Sequence, residues 1–340
     1  MPLPVARQRL LALVDGLAGR RLVVAGDFVL DRFLYGHPKR ISREAPVLVL
    51  SYAREESLPG GAGNTAANVR ALGGIPVPVG ATGSDESGRA LRDALRVRGI
   101  ATEGLLEVPG YRTPTKTRIL GGAPHAIKQQ IVRYDIEDTL DAESARAVAS
   151  GERLDAAARG AHGAVLSDYG YGAITPAALP ILRGALMPGA RICVDSRHLL
   201  PEYAGVDAAT PNEEELEEYA GEPLDDSEPK LEKAGAALRA RMRCECLLVT
   251  RGSRGMALFA GSGPAERIPV HGTDQVADVT GAGDTVLAAF SLALSAGASP
   301  LEAALLANFA GSVVVTKMGT AVVTPGELRA AVEADRALLS

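Results

Sequence analysis

The stretch DVTGAGDTVLAAF, Asp278–Phe290, runs two glycines and an alanine directly into an acid and then into an unbroken apolar segment. The apolar segment reads as a buried helix, and the small residues as a turn at its mouth. Helix N-termini carry unpaired N–H groups and the positive end of the macrodipole. Glycines let that backbone approach an anion closely. On this reading the amides of Gly281, Ala282 and Gly283 form an anion hole, and Asp284 stands beside it to take a proton. The same residues also permit a plainer reading, with Asp284 as a capping acid. G-x-x-x-x-G-K-[ST] does not occur, which excludes a P-loop.

Outward from this turn, short apolar runs recur: RLVVAG, VPVGAT, GAVLSDY, RICVDS, CLLVTRG and GMALFA. Segments of helical period separate most of them, such as NTAANVRALG, SGRALRDALRVRG and LEKAGAALRARMR. Alternating strands and helices predict a mostly parallel sheet covered on both faces. Two stretches break the rhythm. Val47–Ser57 reads as a lone strand, and Thr113–Asp138 as a hairpin with GGAP in its turn. They predict a small β-sheet outside the main one. TPGELRAAVEA reads as a closing helix.

The remaining motifs each admit two readings. PGGAGNTAANVRALGG satisfies G-x-G-x-x-A at Gly61, Gly63 and Ala66, but REESLP rather than an apolar strand precedes it, unlike a dinucleotide fingerprint. Its glycines either leave room for a polar ligand bound by Asn64, or Asn64 caps a helix. VVAGDFVLDR ends a strand near Asp27 and Asp31, and parallel sheets bind ligands beyond the carboxyl ends of their strands. Asp31 is placed to accept bonds from sugar hydroxyls, and Asp27 reads as a turn acid. In ATPNEEELEEYAG, Asn212 precedes a helix opened by Glu213, Glu214 and Glu215. Such acids favour the helix dipole, or hold magnesium through water. LLVTRGSRGMALF is a glycine-bearing turn between strands, with Thr250, Gly252 and Gly255 able to meet phosphate or ribose, or simply a hairpin. Lys116, Arg118, Lys128 and Arg133 gather in the extra β region, either as a solvated face or for a substrate phosphate.

The chain has 340 residues, a net charge of −5, 46% hydrophobic and 23% charged residues, a globular balance without the basic stripe of a nucleic-acid binder. Cys193, Cys244 and Cys246 are too few for a disulfide framework and point to a reducing, cytoplasmic setting. The uncharged run Thr285–Leu301 falls short of the roughly 20 apolar residues of a membrane span. Met1 and the residues after it resemble an amphipathic helix rather than a signal peptide.

Taken together, PGGAGNTAANVRALGG and DVTGAGDTVLAAF resemble the two signatures of the ribokinase-like (PfkB) carbohydrate kinase family, with TPNEEE, VTRGSRG and ANFAGSVVVTKMGT in the family's order between and after them. The resemblance runs from about Arg21 to about Leu328. Within the family, GDFVLDRFLYGHPKRISREAPV, KTRIL, QQIVRYD, LSDYGYG and VVVTKMGT are similar to the heptose 7-phosphate kinase branch. Three places depart from that branch: PHAIK stands where an Arg-Asn pair precedes QQ, DSRHLL where Pro-Lys follows the strand acid, and Gly63 where alanine is common. The resemblance implies a single three-layer α/β/α domain over residues 1–340, with a mostly parallel sheet and a small β lid from segments at about 33–58 and 111–137. It implies ATP-dependent phosphorylation of D-glycero-β-D-manno-heptose 7-phosphate at its anomeric hydroxyl, with magnesium and a monovalent cation as candidate cofactors. Asp284 is then the base, and Gly281, Ala282 and Gly283 the anion hole. Asp31, Gly60, Gly61, Asn64 and Asp168 hold the sugar, and Lys116, Arg118 and Arg133 its phosphate. Asn212, Thr250, Gly252, Gly255 and Asn308 line the nucleotide site, with Glu215 toward the metal. The expected partners are small molecules, with no nucleic acid or membrane, in a homodimer built through the lid. Some relatives of that branch carry a further nucleotidyltransferase domain, before which this chain ends, so a stand-alone kinase is expected. The alternatives are a family kinase for fructose, fructose 6-phosphate or a nucleoside, a non-catalytic nucleotide- or sugar-binding protein, and a dinucleotide oxidoreductase.

Overall fold

A computed structural model describes residues 3–122, 128–272, 276–335 and 338–339. The chain opens with β1 (Leu3–Ala6), α1 (Arg7–Asp15), β2 (Arg21–Gly26), β3 (Phe28–Ile41), β4 (Leu48–Gly61), α2 (Ala62–Ala71), β5 (Ile75–Gly83), α3 (Glu86–Val97) and β6 (Leu105–Val108). It continues through β7 (Thr115–Gly121), β8 (Gln129–Ile136), α4 (Ala142–Val148), α5 (Gly151–Ala158), β9 (Gly163–Asp168), α6 (Ala178–Ala185), β10 (Arg191–Ser196), β11 (Ala208–Ala209), α7 (Glu213–Ala220) and α8 (Glu228–Met242). It closes with β12 (Cys246–Thr250), β13 (Met256–Ala260), β14 (Glu266–Ile268), α9 (Ala282–Ser295), α10 (Pro300–Val314), α11 (Pro325–Ala334) and β15 (Leu338–Leu339).

Among the described residues the main sheet has nine strands, ordered β14-β13-β12-β11-β10-β9-β2-β5-β6. Pairing is parallel from β12 to β6 and antiparallel only at the β12–β13–β14 end. Strand residues alternate between two cores. Leu22, Val24, Val165 and Cys193 pack with α1, α2, α9 and α10, while Val23, Ala25, Leu166 and Val194 pack with α5, α6 and α8. A strand buried on both faces must be apolar throughout, which is why these runs carry little polar alternation.

The small sheet has the order β4-β3-β7-β8, antiparallel except for the parallel β3–β7 pair. The lone strand read at Val47–Ser57 is longer, and it pairs with β3, of which the expected lid segment at about 33–58 covered only the later part. β2 ends at Gly26 and only Asp27 breaks the chain before it resumes as β3, so Asp31 sits within a strand rather than after one. The GGAP turn and the PHAIK run fall wholly or partly on residues 123–127, outside the described residues. The dinucleotide reading is corrected here. Gly61 ends β4 of the small sheet and Gly63 and Ala66 follow it, not a strand of the parallel sheet, so no βαβ unit surrounds them.

Candidate active site

Four segments converge at the carboxyl ends of β2, β9 and β10. Asp27, just past β2, is 2% exposed. Its carboxylate accepts the amides of Tyr169, Tyr171 and Ala173 at 2.8, 3.0 and 3.0 Å, tying the loop after β9 to the end of β2. Burial pushes this carboxyl up to about 6 against the pull of those amides. The loop thereby presents Tyr169, whose hydroxyl donates to Asp284 Oδ1 at 2.9 Å.

From the other side Asn64 Nδ2 donates to Asp284 Oδ2 at 2.9 Å and to the Gly281 carbonyl at 3.2 Å. Gly281 opens α9 with φ +76°, and a Cβ there would stand 2.3 Å from Asn64 Nδ2, so only glycine admits this bond. Asp284 is 4% exposed, at the wall of a cavity of about 200 Å³ that Gly281 and Gly283 also line. Burial pushes its carboxyl up to about 7; the Asn64 and Tyr169 bonds oppose this, and the nearby Asp31 charge adds to it.

The small sheet supplies the opposite wall. Its register puts Asp31 beside Lys116 and Lys116 beside Asp135 in one row, and Phe33, Arg118 and Arg133 in the next. Period-2 alternation puts both rows on one face. Arg118 pairs with Asp31, both buried. A Cβ on Gly60 would stand 2.4 Å from Asp31 Oδ2, so that glycine makes room for the carboxylate. Lys116 Nζ lies 3.3 Å from Asp135 and 3.5 Å from Glu137, and donates to the Tyr171 hydroxyl at 3.4 Å. Arg133 donates to Asp135 at 3.1 Å and is half-exposed. Asp31, Gly61, Lys116, Arg118 and Arg133 all line the cavity with Asp284.

Several expected residues stand elsewhere. The Ala282 amide donates to the Val279 carbonyl at 3.2 Å, so the expected trio of amides reduces to Gly281 and Gly283 at the cavity. Asn64 is neither a cap nor on the cavity wall: Gly61 is the N-cap of α2, and Asn64 is fully buried behind Asp284. Asp168 is engaged by its own chain, accepting from Ser196 Oγ at 2.8 Å and the Tyr203 hydroxyl at 3.0 Å. Asn212 and Glu215 form the capping box of α7, each side chain accepting the other's amide at 2.9 Å. Thr250 bridges to Asn212 beside them. Gly252 and Gly255 hold positive φ in the turn joining β12 to β13, and Asn308 donates to the Pro269 carbonyl at 2.9 Å.

Tyr169 and Arg197 also line the cavity, and sequence reasoning missed both. Each follows the end of a parallel strand, in SDYG and VDSR, and strand-end position was the available signal. Asp195, also passed over, is the next-to-last residue of β10, near Glu215. Its carboxyl is pushed well up by burial, then by the Glu215 and Asp284 charges. Among the described residues no three His, Cys, Asp or Glu side chains cluster tightly enough to hold a metal alone. The mutual repulsion around Asp195 and Glu215 fits a magnesium ion held mostly by phosphate oxygens and water. No helix among the described residues is long and apolar enough to cross a membrane.

A parallel sheet thus presents a carboxylate and helix-mouth residues at its carboxyl edge, facing a cationic wall, an arrangement that suits phosphoryl transfer to an alcohol group. The profile described as pfkB family carbohydrate kinase matches residues 20–326. The chain belongs to that family. The bifunctional protein HldE of Caulobacter vibrioides is 40% identical over 94% of the chain and 64% of its own length. That of Coxiella burnetii is 39% identical over 92% and 63%. The chain thus spans just under two thirds of the curated relatives it matches. Ribokinase from Arabidopsis thaliana, solved with ribose and ATP, superposes with a TM-score of 0.70 at 21% identity, covering 94% of this chain and all of that one. Phosphofructokinase-2 from Escherichia coli, solved with potassium, gives 0.74 at 18% identity over 93% and 98%. Both solved structures share the ribokinase-like fold described above.

Proposed function

We propose that the chain transfers the γ-phosphoryl group of ATP to the anomeric hydroxyl of D-glycero-β-D-manno-heptose 7-phosphate, giving heptose 1,7-bisphosphate and ADP. One observation carries the reading: a carboxylate poised near neutrality shares its cavity with Lys116, Arg118 and Arg133. The first supports a sugar hydroxyl as acceptor, the second a sugar that already bears a phosphate. Asp284 accepts the hydroxyl proton as the sugar oxygen bonds to the γ-phosphorus. The bond from that phosphorus to the bridging oxygen breaks, and ADP carries the electron pair away. The amides of Gly281 and Gly283 receive charge on the phosphoryl oxygens. Magnesium, when bound, neutralises phosphate charge, with Asp195 and Glu215 as its outer partners. Asp31 orients the sugar, and the Asn212, Thr250 and Asn308 segments flank the nucleotide; the potassium-bound neighbour supports a monovalent cation as a further cofactor.

The small sheet acts as a lid that keeps water from ATP. Two chains pair through it. Ile41, Tyr52, Val132 and Tyr134 of this sheet stand 67%, 70%, 48% and 59% exposed, apolar surface that supports a covering copy. Cys193, Cys244 and Cys246 are free and buried, consistent with a reducing, cytoplasmic setting.

A coupled ADP-release assay over heptose 7-phosphate, fructose 6-phosphate, fructose, ribose and a nucleoside tests the reading. Highest kcat/KM with heptose 7-phosphate is expected. Faster turnover of any other acceptor reassigns the sugar, and no turnover with any of them favours a binding protein instead.

A further inference from the structure

We propose that Arg197 is a catalytic residue that grips the transferring phosphoryl group. The inference rests on the reading of Asp284 as the base. Phosphoryl transfer puts charge on three equatorial oxygens, and cations fixed beside the reacting phosphorus stabilise it. The cavity beside Asp284 holds four cationic side chains: Lys116, Arg118, Arg133 and Arg197. Three are already engaged, Lys116 by Asp135 and Glu137, Arg118 by Asp31, and Arg133 by Asp135. Among the described residues no carboxylate forms an ion pair with Arg197. Its guanidinium carbon lies 5.4 Å from the centre of the Tyr169 ring. The hydroxyl of that ring bonds Asp284 at 2.9 Å, so one side chain positions both the base and the cation. Arg197 also lines the adjoining cavity of about 470 Å³, with Tyr171, Glu137 and His198.

The location selects the target. The engaged cations lie on the small sheet, in rows facing the cavity, where a phosphate carried by the sugar would be met. Arg197 instead follows β10, two residues beyond Asp195, at the carboxyl edge of the main sheet. With Asp195 and Glu215 proposed as the outer partners of magnesium, that is the side from which the nucleotide would approach Asp284. A delocalised, weakly hydrated guanidinium resting on an aromatic face gives up little to meet phosphate oxygens bidentately. The oxygen–phosphorus bond that forms, the bridging bond that breaks and the proton passing to Asp284 are those of the transfer described above; Arg197 adds only two N–H donors to the oxygens in between.

The test compares wild type, Arg197→Ala and Arg197→Lys with ATP and heptose 7-phosphate, and measures binding of ADP with and without aluminium fluoride as a stand-in for the phosphoryl group. Arg197→Ala is expected to lower kcat by about 10²-fold, the usual cost of one transition-state donor. KM for the sugar stays unchanged, Arg197→Lys recovers part of the rate, and the tightening of ADP by aluminium fluoride is lost while ADP alone binds as before. An unchanged kcat overturns the proposal. So does a rise confined to KM for heptose 7-phosphate, which would assign Arg197 to the sugar's own phosphate, and so does equal weakening of ADP with and without fluoride. Asp284→Asn is run alongside. Wild-type turnover in that variant would remove the base reading, while the Arg197 variants still report on the phosphoryl group through kcat and fluoride binding.

Discussion

Asp284 accepts hydrogen bonds from two neutral donors, Asn64 and Tyr169, and burial outweighs both in setting its proton affinity. A carboxyl raised to about 7 is ionised only above that pH, so kcat/KM should rise through an acidic limb near 7 and then level. Asp284→Asn is expected to cut kcat by about 10²–10⁴-fold with the fold intact. The same shift has a consequence for stability. A folded carboxyl of about 7 against 3.8 unfolded binds its proton more readily when folded, so stability from this group falls as pH climbs between those values. Asp284→Asn escapes that loss. Its melting temperature should exceed that of wild type at pH 8, and the gap should narrow by pH 5 and close only below about pH 4; a variant that melts lower at pH 8 would refute the account. Tyr169→Phe removes a bond that favours the charged carboxylate, so the acidic limb should move to higher pH, read from a kcat/KM profile.

Asp284 and its glycines were legible because turn, acid and helix are contiguous in sequence. Tyr169 and Arg197 were not, because each belongs to a different loop and only the parallel register of β9 and β10 makes them neighbours. Asn64 was misread for a related reason. Sequence placed it at a helix start, but Gly61 with φ +55° takes the cap and Asn64 falls inside the first turn of α2, facing Asp284. Asp27 looked like a turn acid, yet it fastens an entire loop. Asp27→Ala would orphan the buried amides of Tyr171 and Ala173, each worth about 1–3 kcal/mol when left unsatisfied, and release the part-buried amide of Tyr169. The expected result is a marked fall in melting temperature together with the limb shift seen for Tyr169→Phe, since the loop would no longer hold the hydroxyl in place. A destabilised variant with an unmoved limb would separate the loop from the base.

The doubly covered sheet was readable from alternating apolar runs and amphipathic helices, because a parallel strand buried on both faces leaves no other pattern. The small sheet was only half readable: β3 merges with the end of β2 in one apolar run, and the break between them is the single residue Asp27. Its faces carry different chemistry by alternation. Arg133 and Asp135 turn to the cavity, which sends Val132 and Tyr134 to the other side. On that outer face the two residues stand 48% and 59% exposed. A stable interface buries about 800 Å² per partner with aromatic anchors near its centre, and Tyr134 fits that place. The wild-type chain should therefore elute and scatter light at twice the mass of one chain. Val132→Asp with Tyr134→Glu should shift it to the mass of one, since two buried like charges meet their copies across a two-fold axis. The paired variant keeps every cavity residue, so its kcat should fall only to the extent that the lid depends on its partner. A wild-type chain that runs as a monomer at micromolar concentration would show that the outer face serves some other contact.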